Sequence, residues 1–152
     1  MPEEGKKAPA FHGLDQNGNK VSLSDFKGKK VILFFYPEDD TPTCTEEACN
    51  LRDNYGLLKK RGFVVIGVSP DEVKSHKKFA AKFDLPFILI ADPGHKMIDA
   101  YGTWGPKQLF GRNYMGVLRT TFIIGEDGKI LKIYRKVHSK KHTAQILEDF
   151  SD

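Results

Sequence analysis

The chain has 152 residues, 39% of them hydrophobic, with a formal net charge of +4; this length predicts a single domain, residues 1–152, that buries roughly 68–70% of its unfolded surface without a disulfide. Its lysines form scattered pairs (Lys29-Lys30, Lys59-Lys60, Lys77-Lys78, Lys140-Lys141) rather than one block interleaved with aromatic residues, the pattern of a solvated surface and not of a nucleic-acid binder. No apolar run approaches the ~18 residues of a membrane span, and "MPEEGKKAPA" lacks the apolar core of a signal peptide, so no membrane role and a cytoplasmic location are expected.

"APAFHGLDQNGNKVSLSDFKGKK" carries Asn17-Gly18 between short alternating segments and predicts an N-terminal β-hairpin. "VILFFYP" reads as a strand buried on both faces and ended by Pro37. From Thr43 the spacing of Ala48, Leu51, Tyr55 and Leu58 predicts one helix that runs to Gly62. "FVVIGVS" is a second buried strand, followed by a helix starting at Pro70 or Asp71 with an apolar stripe of Val73, Phe79 and Phe83.

"PFILIAD" is a third strand, "GHKMIDAYG" a short helix, "RTTFIIGEDGKILKIYRK" a hairpin through Asp127-Gly128, and "TAQILEDF" a closing helix. Gly102 to Thr120 has no assignable pattern, and long loops of this kind in compact domains are often functional. The order predicts an α/β fold: a central sheet of mixed direction with helices on both faces.

Only two cysteines are present, Cys44 and Cys49, five residues apart in "FFYPEDDTPTCTEEAC". In a reducing compartment such a pair is catalytic, redox-active or metal-binding more often than structural. A structural zinc site needs about four ligands, and no histidine lies close in sequence to the pair. His12, His76, His95, His138 and His142 read as surface or interstrand residues, and neither metal nor cofactor is expected.

On one helix, a five-residue separation gives about 7.5 Å of rise and about 140° of rotation, so the thiols face different ways. A disulfide needs Cα atoms within about 6.8 Å. The pair can be joined only if the first turns of the helix unwind. Cys44 is the better nucleophile, because it sits where unpaired backbone N–H groups and the positive end of the helix dipole favour a thiolate. Cys49 lies deeper and lacks that advantage; its plainer reading, the less favoured of the two, is a small buried apolar residue.

Ionisation alone does not make a thiol fast. An ordinary thiol is about 3% ionised at neutral pH, so full ionisation gains at most roughly 30-fold. A pKa lowered to about 6 costs roughly tenfold in nucleophilicity. Donors aimed at the oxygen that gains charge are needed as well; the Thr41 hydroxyl, backbone N–H groups and a distant arginine are candidates.

The segment resembles the active-site signature of the peroxiredoxins: Pro, three residues, Thr or Ser, two residues, then the peroxidatic Cys, here Pro37, Thr41 and Cys44. A second cysteine five residues on resembles the bacterioferritin comigratory protein subgroup, or peroxiredoxin Q. The likeness extends from "APAF" and "VSLSDFKGKKVILFFYP" through "GVSPDEVKSHKKFAAKF" and "YGTWGPKQLFGRNYMGVLRTTFIIGEDGKI".

The resemblance implies a thioredoxin-like fold and metal-free reduction of hydrogen peroxide and organic hydroperoxides, an antioxidant activity. Cys44 would become a sulfenic acid, Cys49 would resolve it as an intramolecular disulfide, and thioredoxin or a similar dithiol protein would reduce that disulfide. Arg119 would hold peroxide and thiolate, Thr41 would hydrogen-bond both, Pro37 would shield the site from water, and Glu47 would orient Arg119. A monomer is implied.

Taken singly, the same residues have plainer readings. Thr41 caps a helix, Glu47 complements its dipole, Pro37 ends a strand and Arg119 pairs a surface acid. The subgroup often has Gly before the peroxidatic cysteine; Thr43 here is β-branched and should stiffen the helix start. A disulfide oxidoreductase usually wants two residues between its cysteines, not four. A peroxide sensor or redox-dependent chaperone would use the same oxidation to expose a surface.

Overall fold

The computed structural model describes residues 2–150. In chain order it contains β1 (His12–Leu14), β2 (Lys20–Ser22), β3 (Lys30–Phe35), α1 (Pro42–Asp53), α2 (Tyr55–Lys60), β4 (Phe63–Ser69), α3 (Val73–Lys82) and β5 (Ile88–Ala91). It continues with α4 (Lys96–Ala100), β6 (Trp104–Leu109), β7 (Arg112–Val117), β8 (Thr120–Ile124), β9 (Ile130–Tyr134) and α5 (His142–Asp149). No helix among the described residues is long and apolar enough to cross a membrane.

The main sheet has the order β2-β1-β5-β4-β3-β8-β9. β3 pairs in parallel with β4 and antiparallel with β8, which makes the sheet mixed. The two-residue period of a strand explains why β3 is apolar from Val31 to Phe35. Val31, Leu33 and Phe35 pack on one face with Met97 and Ile98 of α4, whereas Ile32, Phe34 and Tyr36 pack on the other with Ala48, Leu51, Leu58, Phe79 and Ile146. The sheet thus carries α1, α2, α3 and α5 on one face and α4 on the other. The N-terminal hairpin joins its edge through Leu14 opposite Ala91.

Register carries one distant residue to the α1 end of β3. Phe35 pairs with Thr120, so Arg119 falls beside the loop that leaves β3 for α1. On its other side α1 is tied to the start of α5: Asn50 donates to the Lys140 carbonyl at 2.9 Å and accepts from the Thr143 N–H at 2.8 Å.

Three local expectations are corrected. The single helix expected from Thr43 to Gly62 breaks at Asn54, whose side-chain amide donates to the Asn50 carbonyl at 2.8 Å, competing with the backbone for that acceptor. The helix expected from Pro70 or Asp71 begins at Val73, because Asp71 instead accepts from the Asp39 N–H and the Ser69 hydroxyl. The unassigned segment 102–120 contains an antiparallel hairpin, β6 with β7. Its glycines and proline disguise the strands, and its exposure removes the alternation by which strands are recognised.

Candidate active site

Pro42 at the first helical position fixes the entry to α1, with Thr41 as its N-cap. Cys44 follows in the first turn, 2% exposed. Arg119 donates from Nη2 to Cys44 Sγ at 3.2 Å and from Nη1 to Glu47 Oε1 at 2.8 Å. Cys44 and Glu47 share a face because residues three apart on a helix are neighbours. One planar guanidinium therefore bridges a thiol and a carboxylate one turn apart, a fork that lysine cannot reproduce.

Burial opposes the charge on Arg119, yet Glu47 and Cys44 more than offset this and hold its pKa above the ordinary range. Glu47 is fully buried, and burial pushes its pKa up to about 7 against the pull of Arg119. Its second oxygen has no hydrogen-bond partner. His142 Nε2 lies 3.7 Å from it.

His142 is held neutral: burial lowers its pKa to about 4. Its Nδ1–H donates to Gln145 Oε1 at 2.9 Å, and Nε2 accepts from the Thr121 hydroxyl at 2.8 Å. The approach of His142 to Glu47 is thus a contact with a neutral ring and not an ion pair.

Cys49 is a free thiol on the same helix, half-buried and separate from Cys44. Burial raises its pKa, with Asp53 adding to the effect and Arg52 opposing it. Thr41 does not donate to Cys44 as the resemblance implies; its hydroxyl donates to the Glu38 carbonyl at 3.0 Å, so it braces the loop. Pro37 lines a cavity of about 430 Å³ with Glu38, Pro70, Trp104, Lys107 and Tyr114. An open groove of about 1110 Å³ between α3 and the same loop is walled mainly by charged residues and does not include Cys44.

The geometry therefore gathers Cys44, Glu47 and Arg119, sets Thr41 at the entry of α1 and Pro37 on the wall of the neighbouring cavity, and keeps Cys49 apart. It also adds side chains that sequence reading missed. Asp39, in the loop before α1, is buried and accepts from the Tyr36 hydroxyl at 2.6 Å and the Ser75 hydroxyl at 2.7 Å, with His76 Nδ1 at 2.7 Å. His76 Nε2 donates to the Ile90 carbonyl at 3.0 Å. The loop is thereby pinned to α3.

His76 and His142 are both fully buried, a correction to the reading of all five histidines as surface or interstrand residues. For His76 a signal existed: it stands three residues after Val73 and three before Phe79, on the stripe already identified. For His142 none did, since its partner Thr121 lies on β8. Asp39, Asp71 and His76 have the atoms to hold a metal, but these atoms are already satisfied by the bonds above.

Residues 5–133 match the AhpC/TSA family. The chain is 45% identical to the Bacillus subtilis peroxiredoxin Bcp over 150 residues, covering 99% of this chain and 96% of that one. Among solved structures, a mutant of Xylella fastidiosa PrxQ superposes with a TM-score of 0.92 at 26% identity, over 99% of this chain and 96% of the other. The Xanthomonas campestris bacterioferritin comigratory protein, from a study of its alkyl peroxide reduction activity, superposes with a TM-score of 0.88 at 28% identity, over 97% and 96%.

Proposed function

The chain belongs to the AhpC/TSA family and groups with the Bcp and PrxQ peroxiredoxins, and on that premise we propose that it reduces hydrogen peroxide and organic hydroperoxides through Cys44 and Cys49. The observation that carries this reading is the 3.2 Å contact from Arg119 to Cys44 Sγ, with Arg119 itself fixed by Glu47.

Cys44 attacks as the thiolate, and Arg119 supplies the donor aimed at sulfur and at the incoming peroxide. The sulfur bonds to the nearer peroxide oxygen, the O–O bond breaks, and the leaving oxygen takes a proton to depart as water or an alcohol. Cys44 is left as a sulfenic acid. The early turns of α1 then unwind, the Cys49 sulfur displaces the hydroxyl, and water leaves as the disulfide forms. A dithiol protein of the thioredoxin kind returns both thiols. Within this reading the protein is a cytoplasmic monomer serving antioxidant defence, and Pro37 and Thr41 shape the approach of peroxide. The raised pKa of Cys49 supports its acting second.

Rapid-quench mass measurement after one equivalent of hydrogen peroxide tests the scheme. Wild type should lose two hydrogens, and Cys49→Ser should instead gain one oxygen that a sulfenic-acid reagent captures. An oxidised wild type that keeps both thiols unlinked would overturn it.

Thr43, at the second helical position, sets a smaller effect. Glycine is less favourable than threonine in a helix by a few tenths of a kcal/mol. Thr43→Gly should therefore speed disulfide formation about twofold without changing the oxidation step, as read by the interval between the two events in stopped flow. A slower second step would contradict the unwinding account.

A further inference from the structure

The described residues expose eight large apolar side chains, and five of them (Trp104, Leu109, Phe110, Tyr114 and Met115) lie on the β6–β7 hairpin. Phe110 is 94% exposed, and Leu109 and Met115 are each 54% exposed. Such clustering marks an interaction surface, whereas single exposed apolar residues need no explanation.

The turn strengthens the point. Phe110 and Gly111 link β6 to β7 with φ of 51° and 76°, the positive values of a two-residue hairpin turn. That first position favours Asn, Asp or Gly, and a bulky residue there is unusual. An aromatic ring is thus held out at the tip where asparagine would make the better turn.

Charge limits what the surface fits. The charged residues of the hairpin are Lys107 and Arg112, and no Asp or Glu lies from Thr103 to Thr120. Two copies meeting through this surface would bring like charges together, which disfavours self-association. The base of the hairpin walls the cavity beside Pro37, and β7 ends two residues before Arg119. Its tip extends roughly 15–20 Å from that base, out of reach of a small hydroperoxide reacting at Cys44.

Resting on the function proposed above, we infer that the β6–β7 hairpin is the docking surface for the protein reductant, a dithiol protein presenting an apolar patch with an acidic rim. Its thiolate displaces one sulfur of the Cys44–Cys49 disulfide, giving a mixed disulfide and a thiolate that takes up a proton. The partner's second thiol, losing its proton, displaces the remaining sulfur. Two thiols are restored here for one disulfide in the partner.

Phe110→Asn, which suits the turn, and Arg112→Glu test the surface with an acidic thioredoxin as the probe. Peroxide-driven disulfide formation and reduction by dithiothreitol should match wild type in both variants, while kcat/KM for thioredoxin falls about tenfold in each. Raised salt should weaken the wild-type reaction and have less effect on Arg112→Glu. Normal disulfide formation with unchanged thioredoxin kinetics would overturn the inference alone; no peroxide-driven disulfide in wild type would remove the proposed function and this inference with it. Unchanged thioredoxin kinetics, with wild type but not Phe110→Asn retained on anionic vesicles, would reassign the hairpin to a lipid surface and likewise overturn it.

Discussion

Replacing Arg119 with methionine should slow oxidation of Cys44 by hydrogen peroxide about 10²–10³-fold, the usual effect of removing one preorganised donor from a site of developing charge. Arg119 is the only side chain among the described residues that donates to Cys44 Sγ, since the Thr41 hydroxyl is committed to Glu38. The fold should survive the change. Arg119 holds the Glu47 pKa down; without it the carboxyl rises further, protonates near neutral pH, and leaves no buried unpaired charge. Arg119→Lys should fall between the two, because a point charge cannot hold sulfur and carboxylate in one rigid fork. Stopped-flow oxidation rates with native circular dichroism check this, and a loss below tenfold in Arg119→Met would show that the donor to the reacting atoms lies elsewhere.

Glu47→Gln should raise stability at about pH 8 by roughly 3–4 kcal/mol while leaving it nearly unchanged at about pH 4.5. Burial lifts the Glu47 pKa from 4.5 to about 7 in the folded protein. Between those values the native state holds a proton that the unfolded chain has released, so wild-type stability falls as pH rises through this window and then levels off above it. At about 1.4 kcal/mol per unit, the full displacement gives the figure above. Glutamine does not ionise and lacks that slope, yet its Oε1 can still accept from Arg119. Urea midpoints at several pH values check the prediction; a difference between the two proteins that does not widen with pH would contradict it. The arrangement keeps a destabilising carboxyl where it orients the arginine.

Much of the fold is legible in the chain because the signals are local. "VILFFYP" and "FVVIGVS" are apolar on both faces, Asn17-Gly18 and Asp127-Gly128 mark turns, and the stripe through Val73, Phe79 and Phe83 marks a helix face. Where those signals compete with side-chain hydrogen bonds, they mislead. Asn54 breaks a helix whose periodicity continues through it, and Asp71 is taken out of a helix start by Asp39 and Ser69. The β6–β7 hairpin was invisible because it packs little of its surface against a core, and only burial imposes alternation.

The candidate site divides in the same way. Pro37, Thr41, Cys44, Glu47 and Cys49 lie within thirteen residues, so their order, the place of Cys44 in the first turn and the opposed directions of the two thiols follow from helix geometry alone. Read from the chain alone, that local arrangement is already complete: one thiol at a helix start and a second on the same helix, out of its reach while the helix is intact. The approach of Arg119, 75 residues away, depends on Phe35 pairing with Thr120. The neutral His142 behind Glu47 and the pinning of Asp39 by Tyr36, Ser75 and His76 depend on β8, α3 and α5 closing around α1. Only the tertiary structure decided these, because a pKa is set by burial and by partners brought from distant strands and helices, which spacing along a chain does not encode.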